Sequence, residues 1–408
     1  MDFILTTSGK IQSCSLHVSG SKSETNRLLL LQALFPQIRL QNSSDSDDSQ
    51  VMISALHGQE NVIDVHHAGT AMRFLTAYFA TVPGKEVILT GSERMKERPV
   101  KILADALTAL GAKIDYTEKE GYPPLEISGR EITKNEVSLQ ANVSSQYITA
   151  LMLIGTKLKN GINITLEGEI TSLPYILMTL ELLKQIGVEA FINGNVINVH
   201  PADLDIKTID IVVESDWSSV SYFYSVIALG NIGDNITLLS YKQNSLQGDS
   251  ALVGIYSQLG VETVFKDDAI ILKKVKHSED ALRLNLVNTP DIAQTIAVTC
   301  FGLGIGCHLT GLHTLKIKET DRLEALKTEL SKLGANISVS NDSLILEATA
   351  VINHNIAIAT YNDHRMAMAF APLAVKVPII IKDAGVVSKS YTAFWKHLEQ
   401  VGIVVKTL

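Results

Sequence analysis

The chain has 408 residues, of which 46% are hydrophobic and 19% are charged, and its formal net charge at pH 7 is -8. This length supports two sizeable hydrophobic cores, and the negative charge gives no general attraction to nucleic acid or anionic membranes. Cys14, Cys300 and Cys307 form no Cys-x-x-Cys pair, and no cluster of side chains has the spacing of metal ligands. We therefore predict free thiols, no metal site and, since no signal peptide opens the chain, a cytoplasmic location.

The first predicted helix, in "SGSKSETNRLLLLQAL", carries two cations near its start. Ser21 or Ser23 is the predicted N-cap, and Lys22 and Arg27 fall within the first turns. A helix N-terminus carries partial positive charge and favours acidic neighbours, so the backbone disfavours cations there. The motif "GSKS" is not a nucleotide-binding P-loop, because the glycine required before Lys22 is absent.

The next helix starts repeat this pattern of cations and hydroxyl groups. The loop "QNSSDSDDSQ" is predicted to cap a helix over "VMISALHG". "GTAMRFLTAYFA" opens on Gly69 with Arg73 in its first turn, and "KERPVKILADAL" has Pro99 at the predicted first helical position, after Arg98. The helix starts in "NVSSQYITALMLIG" and "TSLPYILMTLELL" carry the polar residues Ser144, Ser145, Gln146, Ser172 and Tyr175.

The same anomaly is most evident in "KIKETDRLEALKTELSKLG". Asp321 and Glu324 predict a capping box at the start of a helix, and Gly334 predicts its end. Lys318 and Arg322 lie at this start, where their charge has the wrong sign for the helix dipole. Charged residues also stand at four further helix starts: Asp216 in "ESDWSSVSY", Asp291 in "NTPDIAQTIAV", Arg365 in "TYNDHRMAMAF" and Lys389 in "VSKSYTAFW". Asn362 or Asp363 is the predicted cap before Arg365.

A repeat of about seventy residues organises these elements. In each copy an amphipathic helix ends at a glycine and leads into a strand-like segment; the glycines are Gly111, Gly187, Gly260, Gly334 and Gly402, separated by 76, 73, 74 and 68 residues. A sixth copy, near "MISALHGQENVIDV", is degenerate. We predict units of strand, helix, strand, helix and two strands, three in each of two similar α/β lobes.

Bound anions would explain the cations, because backbone N–H groups, the helix dipole and a cation then act together. If the repeats bring these helix starts to one cleft, that cleft binds a ligand with several negative charges. Asp291 and Glu319 are carboxyl groups that could transfer protons there. From spacing alone, the prediction is a two-lobed enzyme that acts on a phosphorylated anion.

The motifs "GSKSETNR", "AGTAMR", "SLPY", "SDWSS", "LQGD", "PDIAQTIAV", "KETDRL" and "TYNDHRMAMAF", in this order, resemble the 5-enolpyruvylshikimate-3-phosphate (EPSP) synthase family over essentially the whole chain. The resemblance implies two inside-out α/β barrel-like lobes with the active site in the cleft between them. It places the first lobe at residues 20–214 and assigns residues 1–19 and 215–408 to the second. We also predict a monomer that acts on small molecules and, from the net charge, binds neither nucleic acid nor membrane.

By this resemblance, the reaction transfers the enolpyruvyl group of phosphoenolpyruvate to the 5-hydroxyl of shikimate 3-phosphate, through a tetrahedral ketal that releases phosphate. The product leads to chorismate and the aromatic amino acids, and neither a metal nor an organic cofactor is needed. Asp291 is implied as the base, and Glu319 as the group that serves C3 of phosphoenolpyruvate, with Lys22 as the competing candidate.

The implied ligand-binding residues form two sets. Phosphoenolpyruvate is expected to contact Lys22, Gly69, Arg98, Gln146, Arg322, Arg365 and Lys389. Shikimate 3-phosphate is expected to contact Lys22, Ser23, Arg27, Ser144, Ser145, Gln146, Ser172, Tyr175, Asp291 and Lys318.

Several residues depart from the family's usual pattern: His67 for Asn, Phe74 for Pro, Thr314 for Asn, and Trp217 for a small residue. Since the family is the target of glyphosate, an inhibitor that competes with phosphoenolpyruvate, we expect Phe74 to weaken glyphosate binding more than substrate binding. Two alternatives stay open. One is the related UDP-N-acetylglucosamine enolpyruvyl transferase, which usually carries a reactive Cys where this chain has none; the other is a non-catalytic anion-binding homologue.

Overall fold

A computed structural model describes residues 1–7, 9–140, 144–168, 170, 173–202 and 208–408. They divide into two units. Lys22–Val213 form the continuous unit, and Met1–Ser21 with Glu214–Leu408 form the discontinuous unit. No helix among these residues is long and apolar enough to cross a membrane. Within the same residues, no group of three or more His, Cys, Asp or Glu side chains is placed to hold a metal ion.

The strands are short, three to six residues each. In chain order they are β1 (Phe3–Thr7), β2 (Ser15–His17), β3 (Ile38–Gln41), β4 (Val62–Asp64), β5 (Glu86–Thr90), β6 (Lys113–Tyr116), β7 (Leu125–Ser128), β8 (Glu136–Gln140), β9 (Ile162–Glu167), β10 (Ala190–Asn193), β11 (Val196–Val199), β12 (Ile209–Val212), β13 (Asn235–Leu239), β14 (Val261–Lys266), β15 (Ala269–Lys274), β16 (Leu282–Asn285), β17 (Cys307–Thr310), β18 (Ile337–Val339), β19 (Leu344–Leu346), β20 (Ile356–Ile358), β21 (Ile379–Ile381) and β22 (Ile403–Thr407).

The α-helices run from one to more than three turns. They are α1 (Lys22–Leu34), α2 (Asp47–His57), α3 (Gly69–Ala80), α4 (Glu93–Lys96), α5 (Lys101–Leu110), α6 (Ser145–Gly155), α7 (Leu173–Gln185), α8 (Trp217–Leu229), α9 (Leu252–Gln258), α10 (Ala293–Leu303), α11 (Arg322–Lys332), α12 (His364–Phe370) and α13 (Phe394–Gln400).

The continuous unit contains three copies of the repeat. Two are complete: β4-α3-β5-α5-β6-β7 forms a sheet of order β4-β5-β7-β6, and β8-α6-β9-α7-β10-β11 forms one of order β10-β11-β9-β8. The third copy combines β12, α1, β3 and α2, with β12 parallel to β3. In the described part of the chain this copy lacks the two closing strands, which confirms the predicted degenerate repeat.

The discontinuous unit contains three complete copies. They are β2-α8-β13-α9-β14-β15, β16-α10-β17-α11-β18-β19 and β20-α12-β21-α13-β22 with β1. In the last sheet the first strand of the chain lies between β21 and β22 and is antiparallel to both. The order strand, helix, strand, helix, strand, strand is therefore confirmed in both units.

Each unit places helices inside and sheets outside. The first helix of a repeat is buried on nearly all sides: 12 of the 13 residues of α8 and ten of the 11 residues of α10 are buried. A helix that is apolar all round needs such a central position. The second helix is amphipathic and ends at the repeat glycine. The predicted glycines Gly111, Gly187, Gly260, Gly334 and Gly402 all have positive φ, from 81° to 114°, which confirms them as helix terminators.

Two local predictions are wrong. Pro99 is not the first helical residue, because α5 begins at Lys101 with Val100 as its N-cap. Arg73 was interpreted as an anion-binding cation at a helix start, yet its guanidinium is buried and donates to the carbonyls of Gly69 (3.1 Å) and Pro99 (3.0 Å). The position of Arg73 therefore requires no bound anion.

Candidate active site

Arg322, the first residue of α11, lies at the centre of a charged cluster in the discontinuous unit. Its side chain is only 2% exposed and donates hydrogen bonds to three carboxylates. Nε reaches Asp363 at 2.7 Å, Nη1 reaches Asp291 at 3.0 Å, and Nη2 reaches Glu319 at 2.7 Å. We call Asp291, Glu319, Arg322, Asp363 and Arg365 the acid–arginine cluster.

Two capping aspartates fix this cluster. Asp321 accepts hydrogen bonds from the N–H groups of Leu323 and Glu324, both at 3.2 Å, so α11 begins at the predicted residue. Asp363 caps α12 by accepting from the N–H of Arg365 at 2.9 Å while it also binds Arg322. The cation at the start of α11 is therefore compensated by protein carboxylates. Sequence analysis recognised Asp363 only as a possible cap.

Three cations surround the carboxylate of Asp291. Arg365 Nη2 lies 3.3 Å from Oδ2, while Arg322 and Lys318 lie 3.0 Å and 3.5 Å from Oδ1. Burial alone would raise the pKa of Asp291, but Arg365, Lys318 and Arg322 hold it well below its usual range. The same contacts raise the pKa of Arg365 against the opposing effect of its burial. Asp291 is therefore ionised and poorly basic as long as it holds these cations.

A second carboxyl, Asp249, lies behind Arg365. Ser218 on α8 donates its hydroxyl to Asp249 Oδ2 and accepts from Arg365 Nη2 at 3.4 Å. Asp249 is 4% exposed, and its Oδ1 has no hydrogen-bond partner within the described part of the chain. Burial, followed by repulsion from Asp291, raises the pKa of Asp249 to about 7. Sequence analysis quoted this residue within "LQGD" and gave it no role.

Lys389 ends a short 3-10 helix, Ala384–Lys389, and approaches the cluster through its neighbour Asn362. Its Nζ donates to the carbonyl and to the side-chain Oδ1 of Asn362, both at 2.7 Å. Asn362 directly precedes Asp363. Six predicted residues of the discontinuous unit are thus linked by contacts: Asp291, Lys318, Glu319, Arg322, Arg365 and Lys389.

In the continuous unit, Lys22 is the first residue of α1 and Arg27 is its sixth. The two cations have different surroundings. Lys22 Nζ lies 3.0 Å from Asp48 Oδ2, and both side chains keep some exposure, 19% and 12%. Asp48 lies in the first turn of α2, which the sequence predicted only as a helix with a capping loop. Lys22 is therefore a partly accessible cation.

Arg27 is almost fully buried. It donates to Thr179 Oγ1 at 2.9 Å, Thr149 Oγ1 at 3.3 Å and the carbonyl of Tyr175 at 3.4 Å. A further bond, to the carbonyl of Ser23, measures 2.6 Å. Burial lowers the pKa of Arg27 to about 10, so it keeps its charge at neutral pH.

Gly69 and Arg98 form a close pair at the start of α3. A Cβ on Gly69 would lie 2.7 Å from Arg98 Nη1 and 2.8 Å from Nη2, so the glycine leaves room for the guanidinium. Gln146 on α6 donates to Thr70 Oγ1 at 3.0 Å, which joins the starts of α6 and α3. Ser144 caps α6, with its hydroxyl accepting from the N–H of Gln146.

Among the residues that the structure describes, the predicted residues of the continuous unit thus lie at helix starts or in contact with them. The structure brings together Ser23, Arg27 and Tyr175 in one group, and Gly69, Arg98, Ser144, Ser145 and Gln146 in another, with Lys22 paired to Asp48. Ser172 lies outside the described residues.

A family model for EPSP synthase (3-phosphoshikimate 1-carboxyvinyltransferase) matches residues 57–398. The chain belongs to the EPSP synthase family. It is 46% identical to the 3-phosphoshikimate 1-carboxyvinyltransferase of Bacteroides fragilis (strain YCH46), with 100% of this chain and 99% of that protein covered. It is 35% identical to the enzyme of the same name from Vibrio atlanticus, with 96% and 97% covered.

Solved structures of enolpyruvyl transferases share the fold. EPSP synthase from Acinetobacter baumannii superposes with a TM-score of 0.81 at 20% identity, covering 100% of both chains. The enolpyruvyl transferase NikO from Streptomyces tendae gives a TM-score of 0.75 at 13% identity, covering 100% of this chain and 99% of that one. At these identities the likeness establishes the fold class alone, and it confirms the predicted two-lobed α/β architecture.

The departures from the EPSP synthase pattern are accommodated locally. Trp217 is fully buried, and its Nε1 donates to Glu214 Oε1 at 2.8 Å. His67 Nδ1 lies 2.9 Å from Ser92 Oγ. Phe74 is buried, with its ring centroid 5.8 Å from the guanidinium carbon of Arg27, so it contributes a cation–π contact. Thr314 differs, because no described residue forms a hydrogen bond with its buried hydroxyl.

Proposed function

We propose that this chain transfers the enolpyruvyl group of phosphoenolpyruvate to the 5-hydroxyl of shikimate 3-phosphate and releases phosphate. The acid–arginine cluster carries the proposal, because it combines two carboxyl groups for proton transfer with cations for anionic substrates. Identity of 46% over the whole chain to an enzyme named for this activity supports it. The product belongs to the route towards chorismate and the aromatic amino acids.

Asp291 is proposed as the base that removes the proton of the 5-hydroxyl. The hydroxyl oxygen then forms a bond to C2 of phosphoenolpyruvate, while C3 gains a proton to give the tetrahedral ketal. An anionic substrate that contacts Arg365 and Lys318 competes with Asp291 for these cations. Substrate binding therefore raises the pKa of Asp291 and makes it a better base at the moment when a base is needed.

Glu319 and Lys22 are both candidates for the proton transfer at C3. Glu319 is held by Arg322 at 2.7 Å, and Lys22 is paired with Asp48 at 3.0 Å. The reverse transfer, in which C3 loses a proton, allows phosphate to leave the ketal and restores the double bond. We propose Glu319 for both steps, because one carboxyl group can give a proton to C3 in the first step and take it back in the second.

The remaining polar residues are proposed to bind the substrates. Phosphoenolpyruvate is assigned Lys22, Gly69, Arg98, Gln146, Arg322, Arg365 and Lys389. Shikimate 3-phosphate is assigned Lys22, Ser23, Arg27, Ser144, Ser145, Gln146, Ser172, Tyr175, Asp291 and Lys318. We therefore propose that residues of both units contribute to one reaction.

Phosphate release tests the proposed function. Purified protein is given shikimate 3-phosphate and phosphoenolpyruvate together, and then each alone. Release is expected only with both, and Asp291→Ala and Glu319→Ala should each lower it by at least about a hundred-fold. Glu324→Ala is the matched control, because Glu324 is a glutamate near Glu319 in the chain, at the start of α11, whose side chain is an exposed partner of Lys327. Release from a single substrate, or from the Asp291 variant at the wild-type rate, would contradict the proposal.

The two alternatives make different predictions. The UDP-N-acetylglucosamine enolpyruvyl transferase would release phosphate with that sugar nucleotide as acceptor, and a non-catalytic homologue would bind shikimate 3-phosphate in calorimetry without turnover. NikO, another enolpyruvyl transferase, has the same fold, so the fold alone does not identify the acceptor. The relatives named 3-phosphoshikimate 1-carboxyvinyltransferase favour shikimate 3-phosphate as the acceptor.

We also propose that the enzyme is a cytoplasmic monomer that binds neither nucleic acid nor membrane. The net charge of -8 and the small anionic substrates support this view. Light scattering after size exclusion should give a mass near 44.4 kDa. A mass near twice that value would exclude the monomer.

A further inference from the structure

Glu329, on α11, is a buried carboxylate outside the residues assigned to the substrates. Its side chain is fully buried and accepts from the Tyr361 hydroxyl at 2.6 Å and from the Ala359 N–H at 3.1 Å. Lys332 Nζ contacts both oxygens, at 2.7 and 2.8 Å. A buried charge is retained only with such partners. Two of the three partners of Glu329 belong to the segment that leads to α12.

This segment forms a tight turn in a disfavoured backbone conformation. The N–H of Asp363 donates to the carbonyl of Thr360 at 2.8 Å, and both central residues have positive φ, 54° at Tyr361 and 56° at Asn362. Asn tolerates this region, whereas a bulky residue such as Tyr rarely occupies it. The hydrogen bond from Tyr361 to Glu329 therefore stabilises the turn, because the backbone of Tyr361 disfavours the positive φ that the turn requires.

The turn presents two contacts to the candidate active site. Asn362 receives Lys389 Nζ through two oxygens, and Asp363 receives Arg322 at 2.7 Å. Arg322 and Glu329 are seven residues apart on α11, which places them on one face two turns apart. Helix α11 thus contacts the turn at two points: Arg322 binds Asp363, and Glu329 binds Tyr361.

We propose that Glu329 is a positioning residue: through Tyr361 it fixes the turn Thr360–Asp363, and the turn fixes the amine of Lys389. The consequence for catalysis rests on the proposed function, in which Lys389 binds phosphoenolpyruvate. Loosening the turn leaves Lys389 charged but no longer held in place. The affinity for phosphoenolpyruvate then falls, because the lysine must be ordered again when the substrate binds.

Amine labelling tests the positioning without any need for turnover. Wild-type protein, Tyr361→Phe and Glu329→Gln are treated briefly with acetic anhydride, and acetylation of each lysine is measured by peptide mass spectrometry. Loss of the hydrogen bond is expected to raise the acetylation rate of Lys389 about five-fold. Lys327, a half-exposed lysine on the same helix, is the internal reference and should not change. An unchanged Lys389 rate in Tyr361→Phe would overturn the proposal.

Tyr361→Phe carries the test if Glu329→Gln does not fold, since it removes one hydroxyl and leaves the carboxylate in place. Tyr116→Phe is the matched control, because the buried hydroxyl of Tyr116 has no hydrogen-bond partner among the residues that the structure describes. It should match the wild type in both labelling and melting temperature.

Kinetics then separate positioning from a general loss of structure. In Tyr361→Phe the KM for phosphoenolpyruvate should rise about five-fold while the KM for shikimate 3-phosphate stays within two-fold. In a Lys389→Ala background the same substitution should have no further effect, because the two residues act through one contact. Equal changes for both substrates, or full additivity, would contradict the proposal. A wild-type protein without turnover would refute the proposed function, and the labelling result would still decide the role of Glu329.

Discussion

Arg322 shows how one side chain organises a site. It could not be buried alone, because a guanidinium without partners carries a large desolvation penalty, so three carboxylates accompany it. These include the two acids proposed for proton transfer. The sequence motif "KETDR" predicts the helix start and the unusual charge and contains Glu319, but it could not show that the other two compensating acids, Asp291 and Asp363, come from distant segments. Sequence periodicity does not report contacts between segments.

Asp249 provides a pH-dependent prediction. Its folded pKa of about 7 exceeds the reference value of 3.8, so between these pH values the folded state holds a proton that the unfolded state releases. The contribution of Asp249 to stability therefore falls as the pH rises through this window and does not change further above it. Asp249→Asn should raise the melting temperature at pH 8 relative to the wild type, and this gain should vanish near pH 4. Scanning calorimetry measures it, with the exposed Asp115→Asn as control; a gain independent of pH would show that ionisation of Asp249 is not its cause.

Gly69→Ala should change substrate affinity more than stability. The new Cβ would stand within 3 Å of the Arg98 guanidinium, which can move because it is the end of a flexible side chain. Displacement of this proposed phosphoenolpyruvate ligand should raise the KM for phosphoenolpyruvate about ten-fold and leave the melting temperature nearly unchanged. Gly254→Ala, on α9 with no atom within 4 Å of the added methyl group, is the control. Equal kinetic effects of the two substitutions would contradict this role of Gly69.

The helices illustrate which parts of the fold the sequence predicts well. Amphipathic helices that end at Gly111, Gly260 or Gly334 have a local signature, since only a residue tolerant of positive φ fits there. The starts of helices were less certain. Pro99 has the usual preference for a first helical position, yet α5 begins two residues later at Lys101. The carbonyl of Pro99 instead accepts from Tyr147 and Arg73, which are tertiary contacts that no local pattern contains.

The N-cap of α11 can be tested directly. Asp321→Ala removes the acceptor of two backbone N–H groups and should lower the free energy of unfolding by about 1 kcal/mol. Asp321→Ser should retain most of the stability, because its hydroxyl can accept the same bonds. Urea denaturation followed by circular dichroism gives the midpoints. If the serine and alanine variants were equally destabilised, the cap would not be the cause.

The repeats explain why the two units are so alike and why their shared order could be predicted. Each copy leaves one apolar helix that only neighbouring copies can bury, and three copies suffice to enclose it. The pairing of β12 with β3, and of β1 with β21 and β22, was beyond sequence reasoning, because each strand is far along the chain from its partners.

The pairing of β1 with β22 makes a circular permutant feasible. Phe3 is opposite Thr407, and the N–H of Leu408 donates to the carbonyl of Asp2 at 3.0 Å, so residues 1 and 408 are close. A chain joined there by a short glycine linker and reopened between Asp267 and Asp268, in the exposed turn of β14 and β15, should fold and release phosphate. Its melting temperature should lie within a few degrees of that of the parent. An insoluble permutant would show that this chain order is required for folding.

The position of β1 between β21 and β22 also bears on how the protein is made in the cell. A ribosome adds about 5 to 20 residues each second, so β1 emerges about 20 to 80 seconds before its last partner exists. The continuous unit is fully synthesised once Val213 has been added, so it can begin to fold before β22, the last partner of β1, exists. During that time both edges of β1 lack their native partners and can pair with other strands.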